Sequence, residues 1–371
     1  LPLHDALPIY AESGPHRPGF RELAVVERML DAVVANEGEP DVVQISGGEP
    51  TLHPDFFAIL DAAKRRPIRH LMVNTNGLRI AQEPDFAARL ADYQPGFELY
   101  LQFDSLRDEV HKDLRGAKLR DVRLRALEQL NRHDISTTLV VTVKKGLNDH
   151  ELGDIIDFAL QQPCVRGVTF QPIQAAGRLE NYDPARDRLT LSEVRRRILE
   201  QTPLFQPDDL IPVPCNPDCL AMAYALKLGD RVQPLTRFVS PETLVSKGRN
   251  TIVVERDEAL REHVFKLFAT NHSPESQACS LADLLCCLPQ LAAPGDLGYR
   301  NVFRVLIMQF IDAHGFDLRA VKKSCVHIAQ PDGRIIPFDT FNLFYRDERA
   351  AKLAQLRARV DAAHCRMEST T

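Results

Sequence analysis

The chain has 371 residues, enough for one large or two ordinary domains with full cores, and its 26% charged and 44% apolar residues suit a globular protein. A net charge of −5 argues against nucleic acid as the main partner, and no run reaches the ~18 apolar residues of a membrane span. Eight cysteines in a chain without a secretory start favour metal binding or burial in a reducing compartment over disulfides.

Residues 1–9 read LPLHDALPI and do not open on Met. They resemble translated sequencing-adapter sequence, so a non-native start is expected there. Phe20–Asn36 is amphipathic, with Leu23, Val26, Leu30, Val33 and Val34 on one side, and Gly38 follows it. Val42–Ile45 predicts a strand, and a helix from about Pro54 to Arg66 stops before Pro67. His70–Asn74 is a second strand, followed by a helix over about 84–92. Glu98–Phe103, Thr137–Val143 and Gly167–Gln171 are further strands, separated by helices at Asp121–Arg132 and 149–161. This alternation implies right-handed βαβ units and a parallel sheet. Five strands are visible. A six-stranded partial barrel needs one more, expected before residue 10.

Beyond Gly177 the pattern changes. Thr190-Leu191-Ser192-Glu193 is a capping box opening a helix to about 201, and proline then crowds 203–217. Helices are predicted at about 255–269, 281–288 and 301–313. Cys325–Gln330 and Arg334–Phe338 predict a hairpin around Pro331-Asp332-Gly333, and 347–365 a charged helix. The division expected is a core over 10–180, a cysteine-bearing region over 181–346 and a tail over 347–371.

Polar groups recur where the predicted strands end. Gly47-Gly48-Glu49-Pro50-Thr51 follows the first strand, and its missing side chains let a ligand approach the backbone. Exposed carbonyls and Glu49 could accept hydrogen bonds from an ammonium group, while Pro50 stiffens the exit. Asn74-Thr75-Asn76-Gly77, Asp104-Ser105 and Gln171-Pro172 end later strands. His53 suits a helix-opening residue better than a catalyst, and Cys164 suits the core.

The GGEPT segment, with this strand order, resembles the radical S-adenosylmethionine (SAM) enzymes over roughly residues 10–350. The resemblance implies an α/β fold, a partial (β/α)6 TIM-like barrel lacking its first strand here, plus an α+β C-terminal metal-binding region. It implies SAM held by Gly47, Gly48, Glu49, Pro50, Thr51, Asn74, Asn76, Asp104 and Gln171. It also implies a 4Fe–4S cluster on a CX3CX2C loop, an electron donor such as ferredoxin or flavodoxin, and radical hydrogen abstraction. Tyr10-Ala11-Glu12-Ser13-Gly14-Pro15 matches the run that follows that loop in similar proteins. Counting back, the three thiolates should stand at positions 2, 6 and 9, which are Pro2, Ala6 and Ile9. The chain as written is therefore expected to be inactive in radical chemistry.

Cys215-Asn216-Pro217-Asp218-Cys219, with Cys325 on the predicted hairpin, resembles an auxiliary cluster site. The same ligands would serve zinc, or could be buried thiols. The YAESGP, PCNPDC and CVHIAQPDGRIIPFDTFNLFYR segments resemble a subgroup containing tetraether lipid synthases and pterin-methylase-like proteins. That resemblance implies carbon–carbon coupling or alkylation of a lipid, or methylation of a pterin-like small molecule. A cluster-less SAM-binding or zinc-stabilised scaffold is the other class of reading. Val302, Phe303, Val305, Leu306, Ile307, Phe310 and Ile311 on the 301–313 helix would line a lipid channel or simply bury a core helix. A cytoplasmic protein, or one peripheral to the membrane, is expected.

Overall fold

The computed structural model describes residues 19–175, 182–213, 216–228, 231–237 and 301–345. The expectations for residues 1–18, Cys215, 241–300 (with Cys279, Cys286 and Cys287) and the tail with Cys365 lie outside them.

The first half is built by strict alternation. Helix α1 (Leu23–Glu37) ends at Gly38, whose N–H bonds to the Val34 carbonyl at 2.8 Å. Strand β1 (Val42–Ile45) leads through a short 3-10 turn at Pro50–Leu52 into α2 (Phe56–Lys64). Next come β2 (His70–Thr75), α3 (Leu78–Gln82), α4 (Pro84–Ala91) and β3 (Phe97–Gln102). Then follow α5 (Asp108–Arg115), α6 (Arg120–Arg132), β4 (Thr137–Val143), α7 (Leu152–Leu160) and β5 (Val165–Pro172). All five strands pair in parallel in chain order. Gly77, at φ 72, makes the sharp exit from β2; a Cβ there would stand 2.7 Å from Leu101 Cδ1, so only glycine fits.

The second half continues the same sheet. After α8 (Pro184–Asp187) and α9 (Leu191–Gln201) come β6 (Ile211–Pro212), β7 (Leu220–Leu228), β8 (Arg231–Pro234) and β9 (Val302–Met308). The sheet order is β1-β2-β3-β4-β5-β9-β7-β6, with β8 on β7. β9 runs parallel to β5, from Gly167 opposite Arg304 to Phe170 opposite Ile307. The sixth parallel strand among the described residues therefore comes from the far end of the chain, and β1 pairs on one side only. A Cβ at Gly167 would lie 2.5 Å from the Arg304 carbonyl, so glycine is what lets β9 close on β5. The hairpin β10 (His327–Ala329) and β11 (Ile335–Pro337) forms where expected, and β10 lies against α1.

The predicted helix at 301–313 is corrected: its first half is β9. The run is buried on both faces, so it carries no amphipathic period to tell helix from strand. In the sheet its side chains alternate. Phe303, Val305 and Ile307 join the helix-covered core with Ala221, Ala223 and Ala225 of β7, while Val302, Leu306 and Met308 face the other way. The lipid-channel helix goes with it. The capping box on α9 forms as predicted, Thr190 and Glu193 bonding reciprocally. No helix among the described residues is long and apolar enough to cross a membrane.

Candidate functional site

The carboxyl ends of β1 to β5 and β9 form one rim, and the polar strand-end residues gather there. Glu49 is buried and ties the rim together. Its Oε1 accepts from Thr51 N at 3.2 Å, Thr51 Oγ1 at 2.6 Å and Thr75 Oγ1 at 2.7 Å; its Oε2 accepts from Asn76 N at 2.7 Å. Burial raises its pKa, and the four hydrogen bonds oppose that rise. Its carboxylate thus braces β1 against β2 rather than standing open. The carbonyls of Ser46, Gly47 and Gly48 accept no backbone hydrogen bond from the described residues, and a Cβ at Gly47 would meet open space. These are the groups free to receive an ammonium.

Asn76 is spent on the turn: its Oδ1 accepts from Leu78 N at 2.9 Å, and its carbonyl from buried Arg123. Asn74 is different. Its Oδ1 accepts from Gln102 Nε2 at 3.3 Å, leaving Asn74 Nδ2 and Gln102 Oε1 without a hydrogen-bond partner among the described residues. Gln102 was not among the residues picked from sequence, although Glu98, Tyr100 and Gln102 alternate with apolar residues along β3 and so share a face. Gln171 stands at the end of β5, its Nε2 3.4 Å from the Tyr100 hydroxyl.

Asp104 is fully buried behind the rim. Arg115 clamps it through two bonds of 2.7 and 2.9 Å, and Thr142 N donates to it at 3.1 Å. Desolvation would raise its pKa, but Arg115 holds it below the usual carboxylate value. Its φ of 62 is one that aspartate tolerates, and it sets the turn into α5. Asp104 therefore shapes the rim from behind. His53 opens α2: its Nδ1 accepts from Asp55 N at 2.9 Å and its Nε2 meets the Arg21 carbonyl at 2.8 Å. Cys164 is fully buried just before β5, at the opposite end of the sheet.

Below the rim the inner face stays polar. Glu98 bonds to His70 at 3.3 Å and to the Thr138 hydroxyl, and Arg304 of β9 stands 3.9 Å from it. Tyr224 of β7 bonds to Arg304. Burial alone would raise the Glu98 pKa; His70, Arg304 and Thr138 together pull it down to about 2.

Residues 8–159 match the sequence model of the Radical SAM superfamily. This stretch is a radical SAM domain. The superfamily is one of enzymes that use SAM and a 4Fe–4S cluster. A 7,8-dihydro-6-hydroxymethylpterin dimethyltransferase of Methanocaldococcus jannaschii is 26% identical over 91% of this chain and 73% of its own length. A mycofactocin maturase of Mycobacterium ulcerans is 34% identical over 40% of this chain, which spans 38% of that protein. Streptococcus suis SuiB bound to S-adenosylmethionine overlaps 52% of this chain and 42% of its own, with 18% identity and a TM-score of 0.41.

The rim of the radical SAM domain fits the cofactor's amino acid end: bare carbonyls beside a glycine pair, and two open carboxamides. It does not fit the cluster. The three described cysteines are Cys164, Cys219 and Cys325, and none stands at the carboxyl ends of β1 to β5. Positions 2, 6 and 9 carry no thiol. Cys219 precedes β7, where Gln309 N bonds to its carbonyl, so it lies beside the end of β9. Cys325 packs on the same apolar cluster as Cys219. Burial, with Asp339 and Asp218 nearby, pushes the Cys219 thiol up to about 12. Among the described residues no three His, Cys, Asp or Glu side chains are grouped to hold a metal.

Proposed function

We propose that this protein belongs to radical SAM chemistry on a small, polar, pterin-like molecule, with methylation as the reaction of the family member. The observation that carries this is the polar lining of the inner face beneath the rim, where Asn74 pairs with Gln102, Tyr100 with Gln171 and His70 with Glu98, a lining that suits a polar molecule better than a lipid tail. The dimethyltransferase relative, which covers most of both chains, supports it.

In this reading the Ser46–Gly48 carbonyls receive the SAM ammonium, and the Asn74 and Gln102 carboxamides meet its polar groups. Glu49 and Asp104 hold the loops that present them. The cluster would supply the electron that opens the sulfonium, drawn from a ferredoxin- or flavodoxin-type donor. Positions 2, 6 and 9 carry no thiol, so these 371 residues do not include its three expected ligands. Cys215, Cys219 and Cys325 are proposed to share an auxiliary metal.

The test is calorimetric titration with SAM, followed by fluorescence titration with 6-hydroxymethylpterin. Saturable binding of both is expected, with SAM binding lost in Asn74→Leu/Gln102→Leu. A chain that binds neither, or that binds diphytanylglycerol micelles in place of the pterin, refutes the reading.

A further inference from the structure

The groups proposed to hold the cofactor lie at the ends of β1 to β3. Beyond the ends of β5 and β9 stands a second polar group that has no role so far. Its place in the fold is fixed by backbone contacts. Asp312, just after β9, is fully buried. Its Oδ2 accepts from Ala175 N at 2.9 Å, just after β5, and its Oδ1 accepts from His314 N at 3.0 Å and Gly315 N at 2.9 Å. Gln309 Oε1 accepts from Leu191 N at 2.5 Å, which brings the start of α9 to the end of β9. Lys145 Nζ, just after β4, donates to the Arg188 carbonyl at 3.4 Å. Arg188 and the 312–315 turn therefore stand at the carboxyl end of the sheet, the end that carries the rim. Tyr182 joins them, its ring centroid 6.2 Å from that of His314.

One cation of this group has no counter-charge. A Cβ at Gly315 would collide with Arg188 Nη2, so glycine lets the guanidinium lie against the turn. Among the described residues no carboxylate stands within ion-pair distance of Arg188, and its Nε is buried without a hydrogen-bond partner. The acids around it are already matched. Asp187 pairs with Arg186 at 2.6 Å, Glu193 with the Thr190 hydroxyl at 2.9 Å and Lys145 at 3.8 Å, and Asp312 with its three backbone N–H groups. The Tyr182 hydroxyl is also buried without a partner. Burial, with Asp312 nearby, pushes it up to about 12, so it is a donor at neutral pH. Arg188 and Tyr182 are half-buried and His314 is exposed, so the group is reached from solvent.

The chemistry selects an anion with several oxygens. A guanidinium presents a planar fork that pairs with two oxygens of one phosphate or carboxylate. A hydroxyl and an imidazole beside it call for a further oxygen, which a phosphate monoester has and a carboxylate lacks. A buried donor left unmatched costs about 1–3 kcal/mol, and an uncharged ligand would leave the guanidinium unpaired.

We infer that Arg188, Tyr182 and His314 bind a phosphate group of the substrate, and that the small molecule proposed above is therefore a phosphate ester rather than a free alcohol. This rests on the small-molecule reading and adds the charged end of the molecule to it.

The full chain is titrated with 6-hydroxymethylpterin and with its monophosphate ester, both read by fluorescence. Inorganic phosphate is read by phosphorus NMR and SAM by calorimetry. The ester is expected to bind about tenfold tighter than the alcohol. Arg188→Met should bring the ester down to the affinity of the alcohol, Arg188→Lys should keep part of the difference, and Tyr182→Phe should cost the ester several-fold. Alcohol and SAM affinities should stay within about twofold of the parent in all three variants. An ester no tighter than the alcohol, or an advantage that survives Arg188→Met, overturns the phosphate site and leaves the pterin reading standing. So does a parallel loss of ester, alcohol and SAM in every variant, which general unfolding would give. Binding of 6-carboxypterin as tight as that of the ester overturns phosphate in favour of a carboxylate. Inorganic phosphate bound by the parent and lost in Arg188→Met, with neither pterin bound, overturns the pterin reading alone. A chain that binds none of the three overturns both.

Discussion

Glu98→Gln tests the floor of the inner face and the attachment of the second half of the chain. Glu98 lies on β3, its partner Arg304 on β9, with two strands between them in the sheet and far away in sequence. The carboxyl is completely buried and moves from 4.5 to about 2, which contributes about 3 kcal/mol at pH 7. Because the folded value is depressed, the contribution is complete above pH 4.5 and is lost as pH falls through 4.5 toward 2. At pH 3.5 about 2 kcal/mol should remain. Gln keeps the shape but removes the charge that faces His70 and Arg304. Urea unfolding of the two proteins should show the variant less stable by about 3 kcal/mol at pH 7, and by about 2 kcal/mol at pH 3.5. A loss below about 1 kcal/mol at pH 7, or one that does not shrink as pH falls, would refute the reasoning.

Arg115→Met leaves the buried Asp104 carboxylate without its clamp and should cost about 3–5 kcal/mol. Adding Asp104→Asn should recover part of this, because it removes the stranded charge; a double variant as unstable as the single one would count against the ion pair. Anaerobic reconstitution with iron and sulfide should load the parent chain at the second region. The Cys215→Ala/Cys219→Ala variant should lose that iron, and unchanged iron by elemental analysis would dismiss these ligands; zinc bound in place of iron would favour a structural metal.

Much of the first half was legible in the sequence. Parallel strands covered on both faces read as short, nearly continuous apolar runs, and the helices between them carry a clear 3.6-residue period. The bounds of β4 and the α9 capping box follow directly from such local signals. β9 was misread for the same reason that makes buried strands visible elsewhere: a long run that is apolar on every face has no period. β7 went unread, although its alternation of Ala221, Ala223 and Ala225 with Met222, Tyr224 and Leu226 was a strand signal. Of the site, the segment Gly47–Thr51 and the polar strand ends could be found, because each sits within a few residues of a turn.

The sequence by itself determined the α/β alternation, the GGEPT turn and the absence of thiols at positions 2, 6 and 9. These depend on near neighbours or on identity alone. Only the tertiary structure decided what the residues do with one another. Glu49 became a brace because strand pairing brings Thr75 and Asn76 to its carboxylate. Asp104 turned inward because Arg115 comes back along α5 to meet it. Glu98 met Arg304 because β9 closes on β5 at Gly167. Such contacts depend on strand register and order, over 11 residues for Asp104 and Arg115 and 26 for Glu49 and Thr75, and across most of the chain for Glu98 and Arg304, and no local pattern encodes that pairing.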